Sequence, residues 1–158
     1  MNNFMIEADN LASLNLKTNE GGPFGAVVVK DGKIVGRGKN EVLASNDPTS
    51  HAEVMAIRDA CKNLNTYDLK GCTLYTSCFP CPMCLSSIIW SNIGKVYYGN
   101  TKEDAEDIGF RDDFIYKYIN DFVNGKINKD VLDLECLSRD ITIKTFEKYK
   151  EKKDKTIY

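Results

Sequence analysis

Two short segments about thirty residues apart constrain this chain more than anything else in it, because their side chains make chemical sense only if they meet. The first is Ser50-His51-Ala52-Glu53 and the second is Cys78-Phe79-Pro80-Cys81-Pro82-Met83-Cys84. One imidazole and two thiols form a soft three-donor set suited to a zinc-type metal, with a fourth tetrahedral position open. A fold that joins them must bring two distant chain segments to one point. Pro82 is well placed to open a helix. Cys81 then falls at the N-cap and Cys84 in the first turn, where free backbone N–H groups and the helix dipole favour thiolates.

The chain around these segments alternates strand and helix patterns. Apolar residues Phe4, Ala8, Leu11, Ala12 and Leu16 have helical spacing over about residues 3–18. Gly21-Gly22-Pro23 ends that helix. Phe24 to Lys30 reads as a buried strand, Asp31-Gly32 as a two-residue hairpin turn, and Lys33 to Lys39 as the antiparallel return. Residues 40–48 read as a loop. A helix follows over about Thr49–Leu64, with Val54, Ile57, Cys61 and Leu64 on one face and Met55, Ala56 and Ala60 on another. Cys72–Thr76 is a strand, Pro82 to about Asn92 a helix, and Lys95–Gly99 a fourth strand. Such alternation predicts an α/β fold with parallel members in its sheet. Beyond it, residues 101–113 read as a short helix and loop, and 113–120 as another short helix. Val131 to Leu137 reads as an edge strand. A last helix spans 141–153, with Ile141, Thr145, Phe146 and Tyr149 facing inward.

At 158 residues the chain predicts one domain, 1–158, large enough to bury a core without disulfides. Six cysteines in a chain with no basic, apolar leader at its start read as reduced thiols of a cytoplasmic protein. No stretch is long and apolar enough for a transmembrane helix. A net charge of -2 argues mildly against nucleic-acid binding.

Each candidate residue has a bland reading. His51 is the single histidine, and by itself a lone histidine is usually an ordinary surface or core residue. Ser50-x-x-Glu53 is a capping box in which Glu53 reaches back to the Ser50 N–H. Cys78, Cys81 and Cys84 together resemble an iron–sulfur ligand run, but no further cysteine follows until Cys136. Cys61, Cys72 and Cys136 read as core thiols.

The complete pattern, H-x-E followed by P-C-x-x-C, is similar to the signature of zinc-dependent deaminases. In that reading Glu53 is an unligated carboxylate that moves protons, and Ser50 still caps the helix. The resemblance narrows with Gly21-Gly22-Pro23-Phe24-Gly25, Asn46-Asp47-Pro48-Thr49 and Gly109-Phe110-x-Asp112-x-Phe114-Ile115-Tyr116-Lys117. Over about residues 21–119 the chain resembles the bacterial guanine deaminases of the cytidine deaminase fold. The resemblance implies a three-layer α/β/α sandwich with a five-stranded mixed sheet. It implies one Zn2+ per subunit on His51, Cys81 and Cys84, with Glu53 and Asp112 catalytic. It assigns substrate contacts to Phe24, Asn40, Ala52 and Tyr158, and the reaction as guanine to xanthine and ammonia in purine salvage or catabolism. It implies a homodimer with a C-terminal segment, about 125–158, exchanged between subunits, so that Tyr158 reaches the partner's pocket.

The alternatives are a deaminase of guanosine or another aminated ring, a tRNA adenosine deaminase, and a non-catalytic zinc module. Three departures bear on them. Phe79 stands where the family usually has Glu. Arg111 stands beside Asp112, where it would pair with that carboxylate or shift its titration. The last third of the chain matches poorly.

Overall fold

The strand Gly25–Lys30 (β1) is the centre of the structure, a computed structural model that describes residues 2–158. Its residues Gly25–Val29 are all buried, so both faces of the strand are covered. It pairs antiparallel with Lys33–Lys39 (β2) on one side and with Thr73–Cys78 (β3) on the other. Lys95–Asn100 (β4) joins β3 in parallel, with Leu74 opposite Val96. The sheet is therefore mixed, in the order β2-β1-β3-β4. The hairpin between β1 and β2 turns on Asp31 and Gly32 at φ 49° and 71°, as the Asp-Gly signal predicts.

Helices cover both faces. Asn3–Leu14 (α1) lies on one, and a Cβ placed on Gly25 would sit 2.1 Å from the Ala8 carbonyl oxygen. After a four-residue helix, Val42–Ser45 (α2), the helix Ala52–Leu64 (α3) covers the opposite face. A Cβ on Gly38 would sit 2.2 Å from the Ala52 carbonyl oxygen. Glycine on the strand and alanine on the helix let the two backbones touch. Pro82–Trp90 (α4) follows β3 on the α3 side. There Ala26, Val28 and Leu74 pack with Ala52, Ala56, Ala60, Cys72 and Ile88. The first helix ends earlier than its spacing predicts. Asn15–Lys17 tightens into a 3-10 turn, and Leu16 is left exposed.

Lys102–Asp107 (α5) follows β4, with Thr101 and Asp104 forming a reciprocal capping box. Asp113–Val123 (α6) and Arg139–Glu151 (α7) complete the chain. The chain divides into two compact units, one ending at Ile115 and the other Tyr116–Tyr158. Within the second unit the Tyr118 hydroxyl donates to the Leu132 carbonyl at 3.1 Å. The Tyr149 hydroxyl donates to that of Thr156 at 3.1 Å.

Three expectations fail here. The sheet has four strands among the described residues, not five, and Val131–Leu137 has no strand structure. Alternating apolar residues make a strand only beside another edge that takes up the backbone N–H and C=O groups. The second unit contains no other strand. Ile141, Thr145, Phe146 and Tyr149 are likewise exposed on α7 rather than inward-facing, because two helices and a loop provide no layer to bury that stripe. No helix among the described residues is long and apolar enough to cross a membrane.

The close approach of β2 to α3 makes a testable demand. Gly38→Ala should destabilise the protein by about 1–3 kcal/mol in urea unfolding, because the added methyl must displace backbone. Gly94 has open space around its Cβ position, so Gly94→Ala should stay within about 0.5 kcal/mol of wild type.

Candidate active site

The two segments meet where two helices begin. His51 is the N-cap of α3 and carries no side-chain capping bond. Cys81 is the N-cap of α4, Pro82 its first residue, and Cys84 lies in its first turn. His51 Nδ1 is 3.5 Å from Cys81 Sγ and 3.5 Å from Cys84 Sγ. All three ligand atoms lie within 4.8 Å of one another. A tetrahedral zinc, bonded at ~2.0 Å to nitrogen and ~2.3 Å to sulfur, holds its N and S ligands roughly 3.5 Å apart. The donor set and its spacing therefore fit zinc, with one coordination position left for a non-protein ligand.

The thiols behave as a coupled pair. The Cys84 thiol hydrogen bond, with help from His51 and the Cys84 backbone N–H, holds the Cys81 thiol down at about 4 against the opposing effect of burial. The Cys81 thiolate pushes Cys84 the other way and raises the pKa of His51. Cys78 takes no part. Its thiol donates to the Thr101 carbonyl at 3.4 Å, and burial pushes it up to about 11. The iron–sulfur reading of the cysteine run fails on this geometry. Cys136 is exposed rather than a core thiol.

Glu53 is 6% exposed. One carboxylate oxygen accepts from Thr76 Oγ1 at 3.1 Å and the other from the Cys84 thiol at 3.4 Å. Burial raises its pKa, as suits a group that must both accept and give up a proton. The capping box does not form. Asp47 Oδ1 accepts from the Thr49 N–H and hydroxyl, and Asp47 Oδ2 accepts from the Ser50 hydroxyl at 3.0 Å. That turn engages Ser50, so the helix starts later, with His51 as its cap and Glu53 at the second helical position.

A cavity of about 770 Å3 opens beside this cluster, and His51, Glu53 and Cys81 line it. Phe24, Asn40 and Asp112 line it too. The Phe24 ring stands edge-on to Phe110 with centroids 4.9 Å apart. Asn40 is buried, and its side-chain oxygen accepts from the Val42 N–H at 3.2 Å. Burial raises the pKa of Asp112, as does Cys81, and Lys102 opposes them. Arg111 does not pair with Asp112 as the sequence suggests; its guanidinium meets Glu106 at 3.3 Å and Asp113 at 3.9 Å. Phe79 forms part of the cavity wall, edge-on to Tyr98, with Lys102 Nζ 4.8 Å above its ring.

Two assignments find less support. Ala52 is fully buried in the core and is not among the residues that line the cavity. Tyr158 belongs to the second unit and is exposed. Asn15 and Lys102 also line the cavity, and sequence reasoning passed over both. An asparagine after a helix and a lysine opening another carry no local signal of a site.

Residues 1–100 match the cytidine and deoxycytidylate deaminase zinc-binding region. The chain is 54% identical over 117 residues to a guanine deaminase of Bacillus subtilis, covering 74% of this chain and 75% of that protein. It is 46% identical over 76 residues to a tRNA-specific adenosine deaminase of Aquifex aeolicus, covering 48% of this chain and 50% of the relative. The crystal structure of guanine deaminase from Bacillus subtilis superposes with a TM-score of 0.91 at 43% identity, over 100% of this chain and 99% of that one. With the ligand cluster and the buried glutamate in the arrangement such a centre needs, the chain belongs to the cytidine and deoxycytidylate deaminase zinc-binding family.

Proposed function

We propose that this protein hydrolyses guanine to xanthine and ammonia, with one Zn2+ per subunit held by His51, Cys81 and Cys84. The observation that carries the reading is the pairing of Glu53, buried against the ligand cluster, with Asp112 in the wall of the same cavity. The likeness to a guanine deaminase over three quarters of the chain supports it. Zinc, when bound, lowers the pKa of water and so supplies the nucleophile for attack at C2.

The chain's own residues do the rest. Glu53 carries two protons in turn: the first from the attacking water to the ring nitrogen, the second from the hydroxyl then on C2 to the amino group, which leaves as ammonia as the C2 carbonyl forms. Thr76 holds one of its oxygens by a hydrogen bond, which fixes the direction in which the carboxylate faces. Guanine presents N1–H and the 2-amino group as adjacent donors, and the Asp112 carboxylate is an acceptor suited to both. Asn40 has its side-chain oxygen engaged by the Val42 N–H, so its amide nitrogen is the donor it offers to purine acceptors. Phe24 supplies an aromatic wall. Uncrosslinked cysteines suit a cytoplasmic enzyme of purine salvage or catabolism.

We further infer a homodimer that exchanges a C-terminal segment, about 125–158, and brings Tyr158 to the partner's cavity. Val131, Leu137, Ile141 and Phe146 are 43%, 85%, 63% and 75% exposed in the single chain. A run of apolar side chains of this kind needs a covering surface.

Metal content, steady-state kinetics and oligomeric mass test these readings. Purified protein should bind one zinc per chain by elemental analysis, and His51→Ala or Cys84→Ser should lose it. Glu53→Gln should retain the zinc while kcat falls by at least ~100-fold; retained activity would remove Glu53 from the mechanism, and a zinc-loaded wild-type protein that releases no ammonia from any aminated ring would support a non-catalytic zinc module. In an ammonia-release panel of guanine, guanosine, adenine, cytosine and tRNA, guanine should be preferred. Asp112→Ala should lower kcat/KM for guanine by roughly 10–100-fold, the loss expected for a charged hydrogen-bond partner. Preference for guanosine or tRNA would overturn the guanine assignment. Light scattering should give a dimer mass for the full chain and a monomer for a chain ending at Asn124; a full-length monomer at micromolar concentration would reject the exchange.

A further inference from the structure

Asn15 is a buried amide in the 3-10 turn after α1, 6% exposed. Its nitrogen donates twice, to the Gly22 carbonyl at 2.8 Å and to the Asn40 carbonyl at 2.7 Å. Its oxygen takes Lys39 Nζ at 3.4 Å and the Thr18 hydroxyl at 3.5 Å. Two N–H donors and two acceptor sites exhaust what an asparagine side chain offers. No other residue type of this size supplies two parallel donors and an acceptor at once.

The two carbonyls it joins lie in different parts of the chain. Gly22 belongs to the loop that leads into β1, and Asn40 follows β2. The β1–β2 ladder stops at the pair Gly25 and Lys39, so both carbonyls lie just past the last registered pair. Beyond it one backbone bond continues, from the Asn40 N–H to the Phe24 carbonyl at 3.0 Å. Asn15 holds the same two segments by a side chain instead of a strand. Gly21 adds a tight wall, since a Cβ there would meet Asn40 Oδ1 at 2.2 Å. The residues so fixed are Phe24 and Asn40, and both line the cavity.

We propose that Asn15 is a positioning residue for the substrate-binding wall. It sets the separation of the Phe24 ring and the Asn40 amide, and it acts on the substrate through them. The inference rests on the deaminase reading of the cavity. It makes no claim on the ligand cluster or on Glu53, neither of which shares a hydrogen bond with Asn15.

A purely structural role would give a different result. Removing the two donors should loosen the wall, so Asn15→Ala should raise KM for guanine by about tenfold or more, the pattern of binding lost equally from ground and transition states. The value of kcat should stay within about threefold, and zinc content should not change. Amide hydrogen exchange at Asn40 should quicken by tenfold or more, since its N–H bonds across the clamped gap. Asn15→Ser keeps one donor and should fall between wild type and Asn15→Ala, which also covers the case in which the alanine variant fails to fold. An unchanged KM in either folded variant, or a loss of zinc and kcat together, overturns the proposal. If the wild-type protein does not turn over guanine, the guanine assignment fails by itself. Exchange at Asn40 then decides for or against Asn15, and unchanged protection there rejects it.

Discussion

The contact between Gly38 and Ala52 governs this site. The carbonyl of Ala52 occupies nearly the place where a side chain on Gly38 would stand. Ala52 lies between His51 and Glu53, so the contact that seats α3 on the sheet also sets the height of the His51 imidazole in the ligand cluster and of the buried Glu53 carboxylate. Core packing and the geometry of the cluster are one feature here, because the residue that packs and the residues that line the cavity are sequence neighbours. On the other side of the cluster, β3 and α4 bring the thiols to meet them. The junction is the short span from Cys78 to Cys81, with the Phe79 N–H bonded to the Asn100 carbonyl.

Burial then turns a common residue into a reactive one. A glutamate in the first turn of an exposed helix caps the backbone or solvates. Glu53 has neither outlet, because Asp47 holds Ser50 and the helix opens at Ala52. The carboxylate is left with the Thr76 hydroxyl and the Cys84 thiol as partners. Desolvation raises the proton affinity of a group so placed. The same environment that costs stability raises the affinity of the carboxylate for a proton.

The parts of this structure that were legible in the sequence are those written locally. Pro82 after Cys81, Asp31-Gly32 between two strands and the alternation of strand and helix depend on nearest neighbours, and each appears where the spacing predicts it. The capping box was equally local and yet does not form, since a tight turn three residues upstream competes for the same serine. Arg111 sits next to Asp112 in the chain but pairs with Glu106 and Asp113. Adjacent residues on an irregular segment need not point the same way. Val131–Leu137 shows the limit most clearly. Alternation describes which side chains want burial, and it carries no information about whether a strand edge is there to receive the backbone.

The amino-acid sequence by itself determined the metal donors, the helix starts that hold them and the buried central strand, because each follows from residue type at short spacing. Only the tertiary structure decided which polar groups meet around the cavity. The hydroxyl of Thr76 on Glu53, the ammonium of Lys102 above Phe79 and the amide of Asn15 on the Asn40 carbonyl all join residues far apart in the chain. Hydrogen bonds and charge contacts act over a few ångströms of space, and the distance between two residues along the chain places almost no restriction on that separation once the chain has folded.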